Sequence, residues 1–447
     1  MNTMMKTHTD SHGIALSGAN PAALDAYEQA ARELRCLVGD PVGSADRAIA
    51  AAPQMPMPHL LKAWLFLLGT EPAGPAMAHA ACEAAAALPM NDGERAHLHA
   101  ASLLAQGHWH AAARALEDRS LQEPCDLVAL QVGHQVDFFL GDSRMLRDRI
   151  ARALPHWQRG MPGHHAVLGM HAFGLEETGD YAQAERQGRL SVELEPRDSW
   201  GWHAVAHVHE MRNDTRAGIA WLAPHAPTWS DGSFLAVHNW WHLALFHLEQ
   251  DETSEVLRLY DASIGGPGSS IVLELIDQSA LLWRLMLRGV DVGDRWASLA
   301  DRWGGVGGAG GYAFNDFHAM MAFVGAGRVD AQEAVLDAQR ETMDGQSDNA
   351  GFTRDVGFAA TAAVQAFGRG EFERCTALLR PIRHRAARFG GSHAQRDVVD
   401  LTLIEAALRG GDRALASALA AERSAVRPHS APVQRLVARS GSLARVA

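Results

Sequence analysis

The sequence predicts an all-α protein built from repeated helical hairpins. Three observations lead there. Alanine is abundant while β-branched runs are scarce, and the composition is 47% hydrophobic against 21% charged, which suits packed helices. A motif of fixed internal spacing recurs along the chain. And at 447 residues the chain is too long for one ordinary core, so it forms several domains or an elongated array.

The recurring motif is clearest in GHWHAAARALEDRSLQEP, which begins at Gly107. Trp109, Ala112 and Pro124 follow the glycine at fixed offsets, and Tyr181, Ala184 and Pro196 follow Gly179 at the same ones. From Gly411, Ala416 and Pro428 keep their places, and Arg413 replaces the aromatic residue. Weaker copies start at Gly141, Asn213, Asp251, Gly327 and Gly370. The steps from 107 to 141 to 179 to 213 to 251 are 34, 38, 34 and 38 residues. That is the period of tetratricopeptide-type repeats, each made of two antiparallel helices. In such a unit the glycine ends the first helix and the aromatic plugs the pair. The small alanine lets the helices approach, and the proline closes the second helix.

Read in order, residues 1–20 form a flexible polar arm without the apolar core of a signal peptide. Residues 21–92 are degenerate helical repeats or a cap, and 93–262 are repeats with a groove rich in histidine and tryptophan. Residues 263–311 combine a long amphipathic helix (SSIVLELIDQSALLWRLMLRG) with a flexible glycine connector (WGGVGGAGG), and 312–447 are further repeats. The connector lacks the strand and the Gly-Lys-Ser/Thr of a phosphate loop.

The formal net charge is −12, without a basic stripe, which argues against nucleic acid and anionic membranes as main partners. The most hydrophobic stretch, LLKAWLFLLG at 60–69, is too short to span a bilayer. Cys36, Cys82, Cys125 and Cys375 are widely spaced and form no C-x-x-C pair, so they read as free thiols in a reducing compartment. The expected location is the cytoplasm.

The stretch GDYAQAERQGRLSVELEPRDSWGWHAVAHVHEM, followed by GIAWL and LAVHNWWHLALFHLE, resembles the tetratricopeptide repeat protein 38 family. DQSALLWRL and FNDFHAMMAFVGAGR extend the resemblance, which covers about Met161 to Arg328. It implies an all-helical, right-handed superhelix of helix pairs, and it implies no particular activity.

Chemistry concentrates in one window. Residues 203–247 hold seven of the 24 histidines: His203, His207, His209, His225, His238, His242 and His247. Residues 200–241 hold six of the twelve tryptophans. At about 100° per residue, His203, His207 and Glu210 share one helix face, and His238, His242 and Glu249 share another. In tetratricopeptide arrays the first helix of each pair lines the concave groove. Counting back from the turns at Gly179, Asn213 and Asp251 puts Glu176, His203, His207, Glu210, His238 and Trp241 at groove-facing positions, with His242 at their edge.

These residues define a candidate site. His203, His207, Glu210 and His238 are the expected catalytic groups. Glu176, Trp202, Trp241 and His242 are expected to bind ligand, joined by Asp316 and His318 of FNDFH if the array curls far enough. Two histidine pairs at one-turn spacing, His203/His207 and His238/His242, could chelate a divalent metal. The spacing matches neither H-E-x-x-H nor the deaminase pattern H-x-E with C-x-x-C. Without metal, a His207–Glu210 hydrogen bond would raise the basicity of the imidazole for general-base work. No serine or cysteine nearby has a nucleophile's context.

The competing reading is that these histidines and tryptophans merely fill and stabilise the interior. Burying several titratable groups without a use costs stability, and that weighs against it. The function expected is binding of a small organic molecule and acid–base chemistry on it, with metal assistance as one version. A neutral or cationic aromatic ligand stacked on Trp241 suits the lining. The alternative is a non-catalytic scaffold holding a peptide or partner protein in the groove.

Overall fold

The computed structural model describes residues 8–442, and within them the chain is all-α apart from two two-residue strands, β1 (His8–Thr9) and β2 (Ala15–Leu16). The helices that follow are α1 (Pro21–Cys36), α2 (Pro41–Ala51), α3 (Pro56–Leu68), α4 (Gly74–Ala86), α5 (Asp92–Ala105), α6 (Trp109–Gln122), α7 (Leu127–Phe139) and α8 (Ser143–Ala153). Next come α9 (His164–Glu177), α10 (Tyr181–Leu194), α11 (Ser199–Met211), α12 (Thr215–Leu222), α13 (Ala226–Ser230), α14 (Ala236–Glu249), α15 (Thr253–Leu259) and α16 (Val272–Leu287). The last are α17 (Arg295–Val306), α18 (Ala313–Gly325), α19 (Val329–Met343), α20 (Asp348–Phe352), α21 (Phe358–Gly368), α22 (Phe372–Leu379), α23 (His393–Arg409), α24 (Arg413–Val426) and α25 (Ala431–Ser442). None of the described helices is long and apolar enough to cross a membrane.

The hairpin turns fall where the motif spacing puts them. Gly107, Gly141, Gly179, Asn213, Asp251, Gly327, Gly370 and Gly411 each separate two helices, and all have φ between 53° and 88°. At every one, the N–H of the next residue donates to the carbonyl five residues before it, over 2.8–3.0 Å. This is the bond that closes a helix through a left-handed residue. Glycine adopts that conformation without strain, and Asn213 and Asp251 belong to the non-glycine types that tolerate it best. At four of these turns an aspartate follows, and the side chains of Asp142, Asp180, Asp214 and Asp412 cap the next helix.

The chain divides into two compact units. The first holds residues up to Val205 with Ala226–Ala236, and the second holds Ala206–His225 with Val237 onward, so the division passes through α11 itself. In the first unit Leu130, Leu146, Ile150, Val167, Met170 and Phe173 form a core between α7, α8 and α9. Gly174 lets α9 touch the α8 backbone: a Cβ there would lie 2.5 Å from Arg147 Cα. In the second unit α16 and α23 are joined by Trp283, whose Nε1 donates to Thr402 Oγ1 at 2.9 Å.

Two segments expected to be flexible are tied down. From His8 onward the N-terminal arm is anchored in the first unit. Leu16 is buried, Asn91 Nδ2 donates to Ala15 O at 2.9 Å, and Glu94 accepts from Ser17 N at 2.8 Å. Residues 1–7 of the arm lie outside the described residues. In the glycine connector, residues 303–306 complete α17. Gly310 then donates its N–H to Asp316 and accepts from Asn349 Nδ2 and Thr342 Oγ1. The four cysteines are free thiols, with Cys36, Cys82 and Cys375 buried.

Candidate functional site

Helix α11 carries His203 and His207 one turn apart, and α14 carries His238 and His242 at the same spacing. A spacing of four residues stacks side chains on one face, so each helix offers two imidazoles in register. His207, His238 and His242 lie in the second unit, and one ring nitrogen from each of these three lies within 4.8 Å of the others; His203 belongs to the first unit.

The rings are tightly packed. His207 and His242 have centroids 4.5 Å apart, and His238 and His242 meet edge-on at 4.9 Å. His203 sits against Trp200 at 4.7 Å and Phe173 at 5.2 Å. His203, His207 and His242 are buried, while His238 is half-buried. Burial pushes the His242 imidazole well below the ordinary histidine range, and nearby His207, His238 and Arg284 further oppose its protonation. At neutral pH that ring is uncharged, the form in which imidazole ligates a metal.

Asp277 of α16 orients the His238 ring. His238 Nδ1 donates to both of its carboxylate oxygens at 2.9 Å, which places the ring's lone pair on Nε2. Sequence reasoning missed Asp277 as a functional residue, although it begins the DQSALLWRL segment. Trp241 is fully buried, stacked on His238 with centroids 5.3 Å apart, and Arg284 lies 5.3 Å from its ring centroid. A ligand stacked on this indole would therefore have to displace one of them.

Of the remaining expected site residues, Glu210, Trp202, Asp316 and His318 have other partners. Glu210 gives its carboxylate to Arg427 Nη2 at 3.1 Å, so the expected His207–Glu210 dyad is not formed. The guanidinium offers a full charge where a neutral imidazole offers a weaker bond. Glu176 is buried on α9 in the first unit. Trp202 is buried and donates from Nε1 to Pro196 O at 2.9 Å, which fixes the start of its own helix.

Asp316 accepts from Gly310 N and Gln339 Nε2, and burial raises its carboxyl to about 7. His318 bonds through Nδ1 to Phe314 O at 2.8 Å, and burial lowers its ring to about 3. Among the described residues neither belongs to a group spaced for metal binding.

A second such group, Cys36, His165 and Glu195, lies in the first unit. Its thiol is pushed up to about 12 by burial, and His165 is held by Asp198 at 2.8 Å. The thiolate that a metal needs is thus disfavoured there. A scan against models of known protein families matches none of them.

Proposed function

We propose that the chain is a helical-repeat protein of tetratricopeptide type in whose second unit the clustered imidazoles of His207, His238 and His242 hold one divalent transition-metal ion. In this reading the ion and its imidazoles act on a small organic molecule by activating water or moving a proton. The repeat type is supported by eight turns of one geometry, of which the first five are spaced 34 or 38 residues apart. The right-handed superhelix implied by the family resemblance belongs to the same proposal.

One observation carries the metal reading: His207 of α11 and the i, i+4 pair His238/His242 of α14 bring three ring nitrogens of the second unit within 4.8 Å of one another. An all-imidazole donor set suits zinc, copper, iron or nickel. A carboxylate behind a ligating imidazole, as Asp277 stands behind His238, fixes the ring and raises its basicity. A metal held there by His207, His238 and His242 would supply an acidified water as a base.

Cobalt(II) titration of the chelator-treated, full-length protein tests the reading. Visible absorption bands should grow to saturation at one equivalent and be absent in His207→Ala. A titration without bands, or one unchanged in the variant, removes the metal and leaves the peptide-binding scaffold as the working alternative.

A further inference from the structure

A second site lies wholly within the second unit. The C-terminal ends of α14 and α16, together with α23 and α25, enclose a cavity of about 770 Å³. Seven arginines and five carboxylates line it, with apolar walls from Leu245, Leu248, Leu287, Leu401 and Leu436. The volume falls in the range typical of small-molecule pockets, roughly 300–1,000 Å³.

The charges in this cavity do not balance. Asp397 takes a two-pronged bond from Arg423 at 2.6 and 2.8 Å, and Glu210 takes Arg427. Glu405 serves both Arg409 and Arg439, at 2.8 to 3.0 Å. Asp251 is likewise shared, by Arg288 and Arg435. Glu249, the fifth carboxylate, is bonded by Ser430 and lies 3.7 Å from Arg288.

Arg284 is left over. It is only 4% exposed, and its terminal nitrogens donate to the carbonyls of Ala280 and Ala394, at 3.1 and 2.8 Å. Its guanidinium covers Trp241, and among the described residues no carboxylate reaches it within ion-pair distance. Burial lowers its pKa to about 10, a sign of how poorly the surroundings compensate its charge. A buried cation without a counter-ion is costly, and nearby arginine forks match the planar oxygens of carboxylates and phosphates.

We propose that this cavity is a binding site for a small organic anion carrying two or more negative charges, with Arg284 at its base. The rim arginines Arg435 and Arg439, each about half exposed, would meet the ligand's outer charge. The site borders the histidine group through Arg284 and Trp241, and it does not rest on a bound metal.

Isothermal titration of the full-length, chelator-treated protein at constant ionic strength tests this, with inorganic pyrophosphate and citrate as the two probes. At least one should bind saturably at one per chain, and which one it is separates phosphate from carboxylate recognition. Arg284→Met should weaken that binding at least tenfold. Because this residue is buried, Arg439→Ala on the rim provides a second variant, expected to weaken binding about three- to tenfold while leaving the melting temperature nearly unchanged. Saturation by neither anion, or affinities equal to wild type in both variants, overturns the proposal.

Discussion

His238 donates its Nδ1 proton to both carboxylate oxygens of Asp277, 39 residues away in the sequence, at 2.9 Å. The carboxylate thereby selects the tautomer whose lone pair is on Nε2. Asp277→Asn keeps the shape but loses the negative charge, so metal affinity should fall about 10–100-fold. Competition with a chromophoric chelator reads this directly. Affinity equal to wild type would mean that Asp277 only supports the fold.

The Glu210–Arg427 pair makes the opposite prediction. Both side chains are 9% exposed, so Glu210→Gln leaves a nearly buried guanidinium with a weaker partner. Loss of a buried ion-pair partner costs about 3 kcal/mol or more. Denaturant unfolding should register that loss while metal content stays at the wild-type level. A loss of metal with unchanged stability would instead place Glu210 at the histidine group.

Asp316 gives a pH signature. Burial raises its carboxyl from 3.8 to about 7 in the folded protein. Between these values the native state binds more protons than the unfolded chain, so the contribution of Asp316 to stability declines as pH rises from about 4 to about 7 and is level above that. Asp316→Asn removes this dependence. Relative to wild type, the variant should gain roughly 2–4 kcal/mol across that window. Parallel unfolding curves for the two proteins at pH 5 and pH 8 would contradict it.

Gly174 tests the close helix contact. A Cβ placed there meets the Arg147 backbone at 2.5 Å, which no rotamer change can relieve. Gly174→Ala should cost about 1–3 kcal/mol by overpacking. At Gly179, where a Cβ meets nothing within 4 Å, the cost of Gly179→Ala should be only that of the left-handed backbone, about 1 kcal/mol. Thermal unfolding of the pair separates packing from backbone strain.

The hairpin turns were legible because they depend on local rules. A residue at φ near 60–80°, an aspartate cap after it and a fixed period are all written within a few positions, as at Gly141–Asp142 and Gly179–Asp180. The histidine pairs were legible for the same reason, since i, i+4 spacing is a property of one helix. What could not be read came from partners distant in the chain. Arg427 claims Glu210 from 217 residues away, and no helical wheel drawn on α11 contains that competitor. Asp277 reaches His238 from α16. The glycine connector read as flexible from its composition, yet it is fixed by Asp316, Thr342 and Asn349, each on a different helix.

The most direct measurement is the metal content of the full-length protein, purified without chelators or an affinity tag that binds metal, beside His242→Ala. About one equivalent of a single transition metal per chain is expected in the wild type, and less than about a tenth in the variant. Wild-type protein that holds less than a tenth of an equivalent, and takes up none when the ion is supplied, would contradict it.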